Sequence, residues 1–372
     1  MTDTAATASL LKTPFYDFHV KQGARIVDFA GWAMPLMYRG IIAEHQHTRQ
    51  AASIFDVSHM GRFKFSGKDA MRFLQHIITR NLQKAVVGQS LYSLVCNPAG
   101  GVLDDIIVSR FDDHWLMVCN ASNRTKLLAW FEQHRTGFDV TIEDQTFETA
   151  MIALQGPQVI AKLEQALGEP LSQIKRYHCK QLRYLFFNFT VFRSGYTGED
   201  GVEIICGNKL AQMAMGFLAK SGKDPREQTL QPAGLGARDT LRIEAGMPLY
   251  GHELSESINP IAAGLGWAVA DDKDFIGAAA LAEVRRSGPA EKLVGLHIEG
   301  PRTPRADAAV LAAGQPVGRI TSSCPSPTLN RTIAMAFVPA AHAAVGTALA
   351  VDLRGAPVAA TVTPLPFYKR PA

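Results

Sequence analysis

Cysteine is sparse in this 372-residue chain and shows no pattern where it occurs. The five residues Cys96, Cys119, Cys179, Cys206 and Cys324 are odd in number, widely spaced and free of any C-x-x-C pair. The spacing signals of a zinc ribbon and of a thioredoxin-like redox site are therefore missing, and reduced thiols in a cytoplasmic protein are the expectation. Long apolar runs are missing as well. No stretch reaches the roughly 18 residues that suggest a membrane span, so no membrane association is expected. Residues 1–12 have neither the charged start and apolar centre of a secretory signal nor the arginines of a transit peptide. Clusters of Lys and Arg are also absent, and the net charge is only +4. That argues against nucleic acid as a partner, while leaving room for an acidic protein surface. No fixed-period repeat is present.

What remains is a globular composition, 47% hydrophobic and 19% charged. The length suggests two or three domains, with cores large enough to need no disulfide or metal. Apolar periodicity predicts helices over 40–52, 68–80, 124–134, 158–167, 209–221 and 237–244. It predicts strands over 92–95, 102–110, 115–119, 148–154, 185–194 and 202–206. Composition shifts near 285–290. Beyond it, short β runs over 293–298, 315–320, 332–338, 348–353 and 357–362 are punctuated by Gly, Pro and Ser, as in a small sandwich or barrel. The expectation is an α+β protein ending in an all-β domain at 286–372.

Three segments carry groups capable of chemistry. In the first, Gly100-Gly101 leads into a strand holding the adjacent carboxylates Asp104 and Asp105. Side chains alternate along a strand, so one Asp should face the core side or a cleft, where it needs a partner. The plainer reading has one Asp capping the turn and the other solvated. In the second, Gly195, Gly198 and Gly201 form a tight loop before Glu203, a carboxylate in an apolar strand. Glu203 either requires a donor there or lies on the exposed face of a hairpin. In the third, Arg238 and Arg242 share one helix face, with Arg238 near the helix start, where the dipole disfavours a cation. A partner carboxylate or ligand would explain it; so would a surface salt bridge. His19, His59, His178 and His252 are isolated, as structural histidines usually are. Met34, Met37, Met60, Met247, Trp32 and Trp267 could line a pocket or fill a core.

Taken in order, further segments add a resemblance. They are Thr13 to His19, Phe29-Ala30-Gly31-Trp32, and His47 to Gln50 leading to Phe55-Asp56-Val57-Ser58-His59-Met60. Gly100 to Asp105, Leu154-Gln155-Gly156-Pro157, Gly195 to Glu203, Ala237-Arg238-Asp239 and Ser323 to Leu329 complete the set. Across essentially its whole length the chain resembles the glycine cleavage system T proteins, which are tetrahydrofolate-dependent aminomethyltransferases.

That resemblance implies a three-domain cloverleaf around a central folate channel. The expected division is 1–55 plus 141–285 as a discontinuous α+β folate-binding domain, 56–140 as a second α+β domain, and 286–372 as a β-barrel or jelly-roll-like domain. The implied partner is the lipoyl-carrying H protein, and the co-substrate is tetrahydrofolate. The implied products are 5,10-methylenetetrahydrofolate, ammonia and the dihydrolipoyl arm, with no metal required. By motif position Asp105 is the catalytic carboxylate. Glu203 would accept from the pterin N–H groups, and Arg238 would bind folate and could also fix Glu203. Tyr92, Met60, Tyr196 and Trp267 resemble pocket walls. The chain departs from the family at residues 257–263, where a frequent Glu is missing, and at the C-terminus, where Tyr368 comes early for the usual ligand-contacting Tyr. A stand-alone folate-dependent demethylase and a non-catalytic folate-binding protein are the alternatives. Oxidase fusions would need an N-terminal flavin motif, and the binders a Lys-Gly-Cys-Tyr signature; here Cys179 follows Tyr177-His178 instead.

Overall fold

The computed structural model describes residues 10–184, 186–218 and 230–371. Most of residues 1–12 lies outside that range, as do Leu185 and the end of the 209–221 helix. Among the described residues no helix is long and apolar enough to cross a membrane.

Three sheets of five or six strands organise the described residues. A six-stranded sheet runs Cys179–Tyr184, Phe187–Phe192, Gly201–Gly207, Thr149–Gln155, Ala52–Asp56 and Leu230–Pro232, antiparallel except for the last pair. A five-stranded antiparallel sheet runs Ser90–Cys96, Val102–Arg110, Trp115–Cys119, Gly61–Ser66 and Thr141–Asp144. Thr141–Asp144 lies just past the expected 140/141 boundary and pairs with Gly61–Ser66. The third sheet is a closed six-stranded barrel of Glu291–Ile298, Arg331–Pro339, Gln315–Ser326, Ala309–Ala312, Ala348–Asp352 and Pro357–Thr363. Its alternating Val, Leu, Ile and Ala residues fill its interior, and closure removes the free edges.

Local sequence explains the elements next to the site. Helix Ala70–Ile77 buries Ala70, Phe73, Leu74 and Ile77, the stripe its periodicity predicts, against Phe63, Phe65 and Phe131. The expected strand over 185–194 is present as Phe187–Phe192, and it forms a hairpin with Cys179–Tyr184, a strand that was not anticipated. No Gly, Pro or Asn marks its turn, so composition reads through it. A hairpin of Arg25–Phe29 with Trp32–Met37 was not anticipated. It turns at Ala30 and Gly31, both at positive φ (53° and 80°), the backbone of a tight two-residue β-turn.

The N-terminal helix Tyr16–Lys21 is pinned to the six-stranded sheet by a buried chain of polar groups. The Tyr38 hydroxyl meets His19 Nδ1 at 2.8 Å, and His19 Nε2 meets Asp56 Oδ2 at 2.9 Å. Thr13 Oγ1 donates to the same carboxylate at 2.6 Å. Burial alone would raise the proton affinity of Asp56, but His19 and Thr13 outweigh it and hold the carboxyl below its ordinary range.

Candidate functional site

The three sheets and the helix Leu235–Glu244 enclose one cavity of about 960 Å³. The six-stranded sheet contributes Met151, Phe192 and Glu203, and the five-stranded sheet contributes Tyr92 and Asp105, with Asn120 just past its strand Trp115–Cys119. The barrel side contributes Leu293, Leu365 and Pro366. All seven residues singled out from the sequence (Met60, Tyr92, Asp105, Tyr196, Glu203, Arg238 and Trp267) line this cavity.

Neither carboxylate lies on the outer surface. Asp104 is wholly buried, and Asp105 faces the cavity. Gly101 is required where the strand enters: a Cβ there would stand 1.7 Å from the Glu256 carbonyl oxygen. Tyr92 donates its hydroxyl to Asp105 Oδ2 at 3.1 Å, and its ring stacks on Trp267 at 5.4 Å between centroids. Trp267 sits at the rim, 59% exposed, and is not a core residue. Burial raises the proton affinity of Asp105 above that of an ordinary carboxylic acid, and the Asn120 and Tyr92 hydrogen bonds offset part of that rise.

Glu203 is only 7% exposed, so it does not lie on an outer hairpin face. Ser194 donates its hydroxyl to Glu203 Oε2 at 2.6 Å. The Gly195 position allows the loop to cross tightly, since a Cβ there would stand 1.9 Å from the Gln155 side-chain oxygen. The sequence reading that Arg238 could fix Glu203 is corrected, because among the described residues the two form no ion pair. Glu203 acts on Arg238 only as a nearby charge, while burial lowers the proton affinity of the guanidinium. Arg238 instead lies 4.9 Å over the Tyr196 ring, and its Nη1 is buried with no hydrogen-bond partner. Such a donor is costly unless something fills the cavity beside it. Tyr196 is anchored by donating its hydroxyl to the Pro248 carbonyl.

Arg242, one turn on from Arg238, is spent on structure. It pairs with Glu253 at 2.9 Å and Asp239 at 2.8 Å, and donates to Ser322 of the barrel at 2.6 Å. The other residues weighed in the sequence fall on both sides. Trp32 is buried and stacked on Phe147 at 5.8 Å, away from the cavity, and Met34 is core. His252 and Met247 line the cavity, as does His59. The His59 Nδ1 is buried without a partner, and burial lowers its proton affinity to about 4, so it is neutral at physiological pH. Tyr368 does not line the cavity. Its hydroxyl donates to Glu199 at 2.8 Å, and its ring lies 3.9 Å under the Arg49 guanidinium.

Two cavity groups escaped the sequence reading. Ser194 is the hydroxyl that serves Glu203, and its signal was present in the Ser194-Gly195-Tyr196 run. Asn120 follows a strand and precedes a helix, so it reads only as a capping residue. Its amide nevertheless contacts both Asp104 and Asp105.

Comparison with known proteins adds an independent line. The family model described as the GCVT N-terminal domain matches residues 15–273. The glycine cleavage T-protein C-terminal barrel domain matches residues 291–369. The chain is 42% identical over 365 residues to an aminomethyltransferase of Caldanaerobacter subterraneus, covering 97% of each. It is 43% identical over 367 residues to one of Rubrobacter xylanophilus, covering 98% of this chain and 96% of that one. The crystal structure of the glycine cleavage system aminomethyltransferase T from Bartonella henselae superposes with a TM-score of 0.90 at 34% identity, covering 97% and 99% of the two chains.

Proposed function

Because the chain belongs to the glycine cleavage T-protein family of aminomethyltransferases, we propose that its cavity transfers a one-carbon unit from an aminomethylated lipoyl H protein to tetrahydrofolate. In that reaction the carbon–sulfur bond to the lipoyl arm breaks and the folate amines take the carbon, with release of ammonia and the dihydrolipoyl arm. No metal enters the scheme. The residues fit the folate head. Glu203 keeps free lone pairs beside the one Ser194 occupies, enough to accept from both an amino group and a ring N–H. The partnerless Arg238 Nη1 supplies a donor for a carbonyl or ring nitrogen nearby. Tyr92, Trp267 and Met60 form apolar walls for a flat ring system.

Asp105 is the observation that carries this reading. It is a carboxylate facing an enclosed cavity with no cationic partner among the described residues, and its proton affinity is raised. Such a group stabilises positive charge developing on the transferred carbon and can take a proton from the attacking amine. Catalysis then rests on holding two reactants together in one site. The slight excess of positive charge suits an acidic H protein.

The deciding assay supplies aminomethylated H protein and tetrahydrofolate and follows ammonia and methylenetetrahydrofolate together. Stoichiometric appearance of both is expected; folate binding without turnover would overturn the reading. Replacement of Glu203 by Ala is expected to weaken tetrahydrofolate binding about 10- to 100-fold, the value of a buried charge-assisted hydrogen bond. An unchanged dissociation constant in direct titration would remove Glu203 from the binding set.

A further inference from the structure

The two carboxylates of the Val102–Arg110 strand are adjacent in sequence, yet one nitrogen reaches both. Asn120 Nδ2 lies 2.7 Å from Asp104 Oδ1 and 2.7 Å from Asp105 Oδ1. Both hydrogens of the amide are therefore spent on the pair. The backbone N–H of Asn120 adds a third bond, to Asp104 Oδ2 at 3.0 Å. Asn123 donates to Asp104 Oδ1 at 2.7 Å from the next turn. A register shift in the pairing with Ser90–Cys96 sits just before the pair. Val95 faces Asp104 and Cys96 faces Val102, which leaves Leu103 as an extra residue. Leu103 drops into the same core as Ile106 and Val108, so the regular alternation is reset at the two carboxylates.

Nothing cationic compensates this pair: among the described residues no Lys, Arg or His forms an ion pair with either carboxylate. Burial first, and the neighbouring Asp105 charge second, push Asp104 well above the ordinary carboxylate range. Asp105 is pushed up by burial but drawn back by the hydrogen bonds from Asn120 and Tyr92. Of the two, the carboxylate that faces the cavity gives up its proton more readily, and the buried one serves as its anchor.

We propose that Asn120 is a positioning residue for Asp105: its amide ties the cavity carboxylate to the buried Asp104 and fixes where the reacting oxygen stands. The inference rests on the reading of Asp105 given above. Asn120 needs no contact with the reacting carbon. It acts by keeping one rotamer of Asp105 and by favouring its ionised form.

The test combines kinetics with a double-mutant cycle. In Asn120→Ala, kcat is expected to fall about 100-fold, the cost of misplacing a reacting group by about an ångström. The KM for tetrahydrofolate should change by less than about threefold, since the Glu203 and Arg238 contacts are untouched. The acid limb of the kcat profile should move to higher pH, because a hydrogen bond to the ionised form is lost. In an Asp105→Asn background the same Asn120→Ala change should alter kcat by less than about twofold, because it acts only through Asp105. If Asn120→Ala does not fold, Asn120→Ser carries the same measurements. Its single hydroxyl can serve one carboxylate and should give an intermediate rate. Equal losses in both backgrounds with an unshifted pH profile would mark Asn120 as a merely structural corner residue and overturn the proposal. Full activity of Asn120→Ala beside an inactive Asp105→Asn would sink the proposal alone. Near-normal turnover by Asp105→Asn would sink the reading of Asp105 and this proposal with it.

Discussion

Replacing Asp105 by Asn is expected to lower the rate of one-carbon transfer by about 10²- to 10⁴-fold, the range for removing a positioned proton-transfer group. Tetrahydrofolate should still bind. The substitution keeps the shape and one acceptor oxygen, enough for the bond from Tyr92 or from Asn120 but not for both, and it leaves Glu203 and Arg238 in place. What it removes is a negative charge that forms no ion pair among the described residues. In such a site a charge acts through a lower effective dielectric than in water, so its loss is felt most where positive charge develops in the transition state. The expected signature is a collapse in kcat with little change in KM, measured under saturating H protein. For the wild type, the raised proton affinity of Asp105 sets the direction of the pH dependence. As pH falls, Asp105 takes up its proton earlier than an ordinary aspartic acid would, and activity should decline on an acid limb above about pH 4. An Asp105→Asn enzyme that retained normal turnover, or a wild-type rate flat down to that pH, would count decisively against the assignment.

The parts of this site that could be read in advance are those whose chemistry conflicts with their local surroundings. Two carboxylates in an apolar strand, a glutamate between Val202 and Ile204, and an arginine at a helix start each break a local rule. All of these residues except Asp104 line the cavity, and Asp104 is buried directly behind it. Elements bounded by strong local signals were equally legible. Helix Arg124–His134 and strand Trp115–Cys119 have the expected limits. Groups that behave as ordinary residues within their own segment were not legible. Asn120 reads as a cap until the topology lays the end of strand Trp115–Cys119 beside Asp104 and Asp105. Likewise the pairing of Ser194 with Glu203 depends on the antiparallel register of Phe192 opposite Glu203, set by two neighbouring strands and the loop between them. The direct link between Arg238 and Glu203 came from the family resemblance, not from a local signal. It fails because the structure gives Glu203 a neutral partner and leaves the guanidinium facing the cavity.

The second large effect is expected at Glu244, which does not itself line the cavity. This residue ends the helix Leu235–Glu244 and is fully buried. Arg49 reaches its Oε2 at 2.7 Å, His45 Nε2 lies 3.2 Å from the same oxygen, and Thr328 donates to it from hydroxyl at 2.8 Å. Ser326 donates to Oε1, and the Thr328 backbone N–H does so at 3.1 Å. Arg49 also holds Glu199 at 2.9 Å and the Thr197 carbonyl at 2.6 Å. One carboxylate thus joins helix Ile41–Gln50, the helix carrying Arg238, and the barrel strand Gln315–Ser326 with its following turn. Its partners all arrive from distant parts of the chain, so no local pattern announced them. Burial alone would raise its proton affinity, but His45, Ser326 and Arg49 outweigh that and hold it at about 2 instead of 4.5. A displacement of that size corresponds to about 3 kcal/mol of folding free energy. The contribution is complete above pH 4.5 and disappears as pH falls toward 2, because the group's proton affinity is lower folded than unfolded. Glu244→Gln should therefore lower stability at neutral pH by about 3–5 kcal/mol, since it leaves the Arg49 charge buried and half-compensated. The loss should shrink as the pH is taken below 4.5, where the wild type surrenders the same interaction. Adding Arg49→Met to that variant should cost less than the two single losses added together, because Glu244 and Arg49 share one interaction, even though Glu199 then loses its cation. Denaturant midpoints across pH measure the wild type, the two single variants and the double variant. Losses that simply add, or that do not change with pH, would mean the pair carries no coupling. Because the same helix presents Arg238 to the cavity, the Glu244 variant should also bind tetrahydrofolate more weakly while keeping a near-normal kcat at saturation. That split separates a residue holding the binding helix in place from one that meets the reacting carbon.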